Sequence, residues 1–333
     1  MVKINKSINH FNPRSILVTG GTGFVGSFLI PELLRKSYSV NLLLRTNSPR
    51  QVFFDCKKYR IDDFSDANLE KVLNNIDVVI HLAARVHVMK DNAKNTLAEY
   101  REVNVNLTMK LARQAALSGV KRFIFISSIK VNGEFTEKSS KFSPDKKPNP
   151  KDAYGISKME AEFGLMKLAK KTGMEVVIIR PPLIYGPGVK ANFLTMMKWL
   201  QKDLPFPLGN IKNKRSLVYV NNLTNLILKV INHPKAADQI FLISDDHDVS
   251  TTDLLRSVSL YLGKNIKLFS LPTPLLNALF FISGKKALFQ RLFGSLSLDI
   301  RKTKKILDWS PPHRFEDAIK VTVQDYLRTN KVT

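Results

Sequence analysis

Cysteine is all but missing from this sequence, carboxylates are scarce, and no apolar run is long enough to cross a bilayer. Each absence removes a class of protein. The lone Cys56 can form neither an intrachain disulfide nor a zinc site built on paired cysteines. No metal site is therefore expected, and a reducing compartment, the cytoplasm, is the expected location. Only 28 Asp and Glu stand against 52 Lys and Arg, a formal charge of +24. The cations are scattered and no aromatic-basic platform gathers them, so no specific nucleic-acid partner is expected. The segment Leu275 to Phe293 is strongly apolar, but it carries Lys285, Lys286 and Arg291 and its first apolar run is too short to span a membrane. It reads either as a helix packed in a smaller domain or as an interfacial helix making weak peripheral membrane contact. The first fourteen residues are polar and basic, lack the apolar stretch of a secretory signal, and are expected to form a flexible tail, 1–14.

What the chain does have is alternation. Apolar runs that read as buried strands recur at Ser15 to Thr19, Val40 to Leu44, Asp77 to His81, Arg122 to Ser127 and Glu175 to Arg180, with a weaker one at Lys57 to Ile61. Helical periodicity occupies Gly23 to Ser37, Ala98 to Ser118 and Asp152 to Thr172. Such alternation implies an α/β fold with a doubly wound parallel sheet covered on both faces. After Arg180 the pattern breaks at Pro181, Pro182, Pro187, Gly188, Pro205, Pro207 and Gly209. A smaller C-terminal α/β domain is expected over 181–214 and 246–333. The chain should revisit the main sheet at about 215–245, through Gln239 to Ser244, after which Ser250 and Asp253 have capping-box spacing.

The first strand runs directly into Gly20-Gly21-Thr22-Gly23-Phe24-Val25-Gly26. Glycines there permit a tight turn and let backbone N–H groups approach a pyrophosphate, which the following helix attracts with its positive N-terminus. Residues 15–180 thus read as a Rossmann dinucleotide-binding domain, with Gly20, Gly23, Phe24, Val25 and Gly26 as contacts. The carboxylate that usually ends the second strand of an NAD-specific unit is replaced by Arg45. An arginine there can pair with a 2′-phosphate, so of NADP and NAD the former is slightly favoured. Asp63 sits where a carboxylate can accept from the adenine amino group, with Phe64 beside it.

Tyr154 and Lys158 lie four residues apart, on one face of a helix. A phenol is a poor base at neutral pH, and a nearby cation favours its ionised form. Ser128, at a strand end, can hydrogen-bond the same substrate oxygen. Among eight Tyr about one Tyr-x-x-x-Lys arises by chance, so the weight rests on the order of glycine turn, Ser128 and Tyr154.

With these motifs in place the chain resembles an extended short-chain dehydrogenase of the NAD-dependent epimerase and dehydratase family, from about Ser15 to Leu327. The segments that match are VTGGTGFVG (Val18 to Gly26), HLAA (His81 to Ala84), Asn104, ISS (Ile126 to Ser128), YGISK (Tyr154 to Lys158) and RPPLIYGPG (Arg180 to Gly188). The resemblance implies a catalytic trio of Ser128, Tyr154 and Lys158. It adds Leu82, Ala83, Ala84, Asn104, Pro181 and Ile184 to the dinucleotide contacts and gives His81 a structural role. It also implies a homodimer packed through two long helices per subunit, one of them bearing Tyr154.

Members of this family mostly act on nucleotide-linked sugars. The resemblance offers Asn192, Phe193, Arg215 and Arg291 as grips on a UDP group, with Lys302 a further candidate, and places Lys130 beside the sugar. Dehydratases of the family carry an Asp-Glu pair just after the catalytic hydroxyl, and here Ile129-Lys130 replaces it, which removes the acid and base that elimination needs. Hydride transfer at C4 of a UDP-linked hexose or N-acetylhexosamine remains. Arg45 favours a reductase that exchanges NADPH, and the runs SSIKVNGE and PPLIYGPGVKANF resemble bacterial polysaccharide-cluster enzymes that reduce a UDP-4-keto-6-deoxy-N-acetylhexosamine. The alternatives are a UDP-hexose 4-epimerase that keeps NAD bound and, from another class, a non-catalytic NADP-sensing scaffold.

Overall fold

The computed structural model describes residues 12–47, 55–62, 68–86, 96–137, 140–202, 205–284 and 286–330. Ten strands occur among them: β1 (Ser15–Thr19), β2 (Ser39–Arg45), β3 (Lys57–Ile61), β4 (Val78–His81), β5 (Arg122–Ile126), β6 (Glu175–Arg180), β7 (Leu183–Tyr185), β8 (Arg215–Tyr219), β9 (Gln239–Leu242) and β10 (Asp248–Val249). The main sheet has the order β3-β2-β1-β4-β5-β6-β9, parallel throughout. Between β1 and β4 the winding reverses, which opens a crevice at their carboxyl ends.

Burial explains why the inner strands of this sheet are largely apolar, whereas the edge strand β3, Lys-Lys-Tyr-Arg-Ile, is mostly exposed. Ile16, Val18, Val78, Ile80, Ile124, Ile126, Val177 and Ile179 point into one core, with Leu29, Ile30 and Leu33 of the helix Phe24–Arg35 and Leu223, Leu226, Ile227 and Val230 of the helix Val220–Asn232. Their neighbours Leu17, Val79, Phe123, Phe125, Val176 and Ile178 point into the other, against Leu111, Ala112 and Ala115 of the helix Leu107–Leu117 and Ala161, Leu165 and Ala169 of the helix Ala153–Thr172. Successive residues serve opposite faces, as the two-residue strand period requires.

The second sheet is small, in the order β10-β8-β7. It packs with the helices Ala191–Gln201, Thr251–Leu262 and Phe315–Asn330 around Tyr185, Phe193, Leu217, Leu255 and Ile319. The expected return to the main sheet therefore begins only at Gln239, because Arg215–Tyr219 pairs with β7 and β10 instead. Asp245 links the parts: it accepts from the Tyr185 hydroxyl at 2.7 Å, the Tyr219 N–H at 2.8 Å and Asn222 at 2.7 Å. Burial raises both Asp245 and Tyr185, and the Asp245 charge raises Tyr185 further. Ser250 caps its helix as the spacing implies, accepting from the Asp253 N–H at 2.9 Å.

Other expectations need amendment. Residues 1–11 lie outside the description, but the last part of the expected tail is held, since Pro13 is buried and the Arg14 N–H donates to Asp77 at 2.8 Å. The segment from Leu275 to Phe293 holds two short helices, Thr273–Ile282 and Lys286–Phe293. Among the described residues no helix is long and apolar enough to cross a membrane.

His81 ties β1 and β4 to the helical layer. Its Nδ1 meets the Thr19 hydroxyl at 2.7 Å, its Nε2 meets Thr108 at 2.9 Å, and its ring stacks on Phe125. Burial, helped by the charge of Lys158, lowers it to about 3. The folded chain thus keeps the imidazole neutral where the unfolded chain takes up a proton, so stability falls as pH drops below the ordinary histidine value of 6.5. Urea unfolding between about pH 6.5 and 5 should show a loss of up to ~1.4 kcal/mol per pH unit from this group, and His81→Gln should flatten that slope.

Candidate active site

Local chemistry at the end of β1 shapes the first part of the site. Gly20 adopts φ +70, and a Cβ there would come within 2.6 Å of the Ala83 backbone nitrogen, so the turn closes on the segment after β4 only because the side chain is absent. Leu82 and Ala83 are stitched to it through the Thr19 carbonyl and hydroxyl, at 3.2 and 3.4 Å, and Ala84 follows in the same strip. Gly23 stands before the helix Phe24–Arg35, whose first turn carries no acidic residue and no side-chain cap. Phe24 and Val25 are half-buried and Gly26 is buried. Arg45 ends β2 exposed to solvent, its carbonyl accepting from Arg60 at 3.4 Å. Asp63 and Phe64 lie outside the described residues.

The catalytic candidates meet at the ends of β5 and β6. Ser128 follows β5 and caps the short turn Ile129–Val131, accepting from the Lys130 N–H at 3.2 Å. The helix Ala153–Thr172 starts beside it because Asp152 caps it, accepting from the Gly155 N–H at 2.7 Å. A Cβ on Gly155 would come within 2.9 Å of the Lys130 carbonyl oxygen, so this helix seats on the turn only with glycine at that place. Tyr154 is thereby brought beside Ser128, whose hydroxyl acts on the phenol. Lys158, one turn further on and 1% exposed, donates to the Ile126 carbonyl at 2.8 Å and lies over the Phe125 ring.

Burial shifts the two groups in opposite senses. Tyr154 is pushed up to about 12, although the Ser128 hydrogen bond opposes this. Lys158 is pushed down to about 7, although the charge of Glu162 opposes that. One hydrogen of the Lys158 ammonium is given to a strand carbonyl, which fixes the side chain within the turn of helix that carries Tyr154.

Several candidates turn out to be committed elsewhere. Asn104 is 1% exposed and gives its amide hydrogens to the Arg85 carbonyl at 3.1 Å and to Ser157 at 3.0 Å, while its oxygen accepts from the Arg85 N–H. It positions the loop after β4 against the catalytic helix and has no hydrogen left for a dinucleotide. A π-helical turn, Glu102–Asn106, interrupts the expected continuous helix at this residue. Lys130 pairs with Asp152 and, at 3.1 Å, with Glu134, and Lys302 pairs with Asp145 at 3.0 Å. Phe193 is 2% exposed and stacked on Tyr185, so its side chain belongs to the core, whereas Asn192 beside it is exposed. Pro181 is buried, its carbonyl holding the Ile129 N–H at 3.0 Å, and Ile184 packs between two cores.

Arg215 and Arg291 do come together. The Arg215 guanidinium donates to the carbonyls of Arg291 and Gly294 at 2.9 and 3.0 Å, and burial with the neighbouring Arg291 charge lowers it. Among the described residues no carboxylate pairs with either. Two like charges held close are relieved by an anion.

Beneath the trio lies a network that the motifs do not announce. Glu162 accepts from Ser127 at 2.5 Å and from Arg180 at 2.5 to 3.2 Å, and Arg180 also donates to Asn132 at 2.8 Å. All four are buried. The signal in the sequence is the stripe Tyr154, Lys158, Glu162, which puts a carboxylate on the core-facing side of the helix.

The chain matches the NAD dependent epimerase/dehydratase family over residues 16–244. It is 47% identical over 324 residues, 96% of this chain and 97% of its relative, to a Vibrio cholerae protein named UDP-glucose 4-epimerase. To an Escherichia coli O157:H7 protein named N-acetyl-α-D-glucosaminyl-diphospho-ditrans,octacis-undecaprenol 4-epimerase it is 29% identical over 266 residues, 78% of this chain and 76% of the other. A crystal structure of UDP-glucuronic acid 4-epimerase from Bacillus cereus in complex with NAD has the same fold, with TM-score 0.76 at 24% identity, over 94% of this chain and 99% of that one.

Because Glu162 holds Lys158 up, Glu162→Gln should move the loss of the lysine proton to lower pH. The limb of kcat/KM that falls as Lys158 deprotonates in the free enzyme, near pH 7, should shift the same way. An unmoved limb would mean that Lys158 is not the group that titrates.

Proposed function

Because the chain belongs to the NAD dependent epimerase/dehydratase family, we propose that it transfers a hydride at C4 of a UDP-linked hexose or N-acetylhexosamine, with Tyr154 handling the proton. The observation that carries this reading is the meeting of Ser128, Tyr154 and Lys158 at one strand end. Elimination is disfavoured there, since Ile129 is buried and Lys130 is ion-paired in the place of an acid and a base.

The residues suit a dinucleotide. The uncapped helix after Gly23 presents open backbone N–H groups to a pyrophosphate, and Gly20 to Gly26, Leu82 to Ala84, Pro181 and Ile184 would surround the remainder. When bound, the dinucleotide supplies the hydride donor or acceptor. The protein's own part is proton handling. Tyr154 Oη gives its proton to the C4 oxygen during reduction and takes it back during oxidation, while Ser128 Oγ steadies the charge that develops. A phenol raised by burial is a competent donor, and it becomes a base only when positive charge gathers nearby. Arg215 and Arg291 are proposed to hold the diphosphate of the sugar nucleotide, with Asn192 beside the uridine.

Epimerisation with retained NAD is the first reading, supported by the names of the Vibrio cholerae and Bacillus cereus proteins. Reduction of a UDP-4-keto-6-deoxy-N-acetylhexosamine with NADPH is the second, favoured by exposed Arg45 at the end of β2. The Escherichia coli relative's name adds a sugar on a diphospho-polyprenol to the substrates to be tested. A homodimer through the helix Ala153–Thr172 is proposed as well, on which Phe163 stands 61% exposed.

Tyr154→Phe should cost about a thousandfold in turnover and leave dinucleotide binding intact; wild-type turnover in this variant would overturn the assignment. Stoichiometric NAD in freshly purified protein, read by absorbance and mass spectrometry, is expected for the epimerase, and an empty site with NADPH-dependent ketone reduction for the second reading. Arg291→Ala should raise KM for the sugar nucleotide about tenfold or more with little change in kcat.

A further inference from the structure

We propose that the helix pair Thr273–Ile282 and Lys286–Phe293 docks this protein on an anionic lipid surface. The first helix, TPLLNALFFI, holds no charged residue. Leu276, 3% exposed, anchors it to the protein, and Phe280 touches Phe289 of the second helix at 5.7 Å. The outer side is also apolar: Leu275 is 49% exposed, Phe281 68%, Ile282 82% and, on the second helix, Leu288 44%. Large apolar side chains scattered singly over a surface mean little, but four exposed ones on two short helices joined through Phe280 and Phe289 mark an interaction site.

Charge selects the occupant. Between Asp253 and Asp299 the sequence has no carboxylate; Arg256 pairs with Asp253 and Arg291 lies by Arg215, which leaves Lys264, Lys267, Lys285 and Lys286 as the basic residues that accompany the helix pair. Lys264 and Lys267 are exposed, and Phe269 after them is 45% exposed. An apolar helix face within a wholly basic stretch matches an anionic headgroup layer over hydrocarbon. A second copy of the chain would bring the same cations face to face, which opposes self-association through this patch. Neither helix is long enough to cross the bilayer, so the contact is a shallow one.

The test is sedimentation of the full chain with phosphatidylcholine vesicles, with or without about a third phosphatidylglycerol, compared with the double variant Phe281→Ser, Ile282→Ser. The wild type is expected to partition onto the anionic vesicles and to remain partly bound at about 0.5 M salt, where charge alone is screened. The variant, altered only at exposed positions and with an unchanged thermal midpoint, should bind about tenfold or more weakly. Equal binding by the two proteins, or complete release of both by salt, would reduce the effect to diffuse charge and overturn the proposal. So would a variant that changes only its oligomeric state on size exclusion, since the patch would then belong to a second copy.

Discussion

The buried ion pair between Glu162 and Arg180 is the contact on which the site depends. Arg180 ends β6, Ser127 follows β5, Asn132 lies past the turn that Ser128 caps, and Glu162 sits on the helix that bears Tyr154 and Lys158. One carboxylate and one guanidinium therefore fix two strand ends, a turn and a helix relative to each other. Such a pair is poor evidence of added stability, because desolvation offsets much of its Coulombic gain. Its geometric effect is nonetheless strict, since removing either partner strands a charge in the core at a cost of roughly 3–5 kcal/mol. The trio stands on this base, and Lys158 is held between the Glu162 charge below and the Phe125 ring beside it.

How much of this was legible in the sequence follows from range. Strands buried on both faces must be largely apolar, so β1, β2, β4, β5 and β6 were readable to within a residue or two, and the exposed edge strand β3 was readable from its place between β2 and β4. The glycine turn and the Tyr154-Lys158 spacing were readable for the same reason, being local. What escaped joins residues far apart in the chain. Asp152 to Lys130, Asn104 to Arg85 and Ser157, and Glu162 to Arg180 are pairings that no periodicity encodes. The π turn at Glu102–Asn106 escaped too, because its sequence is an unremarkable helical one and the extra residue is accommodated by tertiary contacts of Asn104. Phe193 shows the same limit: a motif match offered it to the substrate, while its side chain, by size and apolarity, packs in the core against Tyr185.

The shortage of carboxylates, with which the sequence stands out, has different consequences in different places. Around the trio the few that exist are all employed: Asp152 and Glu134 hold Lys130, and Glu162 holds Arg180. Near Arg215 and Arg291 none is supplied, which leaves two cations that favour a bound anion. Between Asp253 and Asp299 none is supplied either, but there the cations accompany exposed apolar helices.

In Tyr154 and Lys158 one physical cause acts on two groups in opposite directions. Removal from water raises the phenol and lowers the ammonium, so one physical cause drives both groups toward their neutral forms. A site in that condition holds a proton on Tyr154 and little charge with which to pull it off. Positive charge arriving with an oxidised dinucleotide would lower the phenol, and acceptors arriving with a ribose would hold the ammonium. The low dielectric that disfavours charge around these two groups is also what makes each arriving charge effective there.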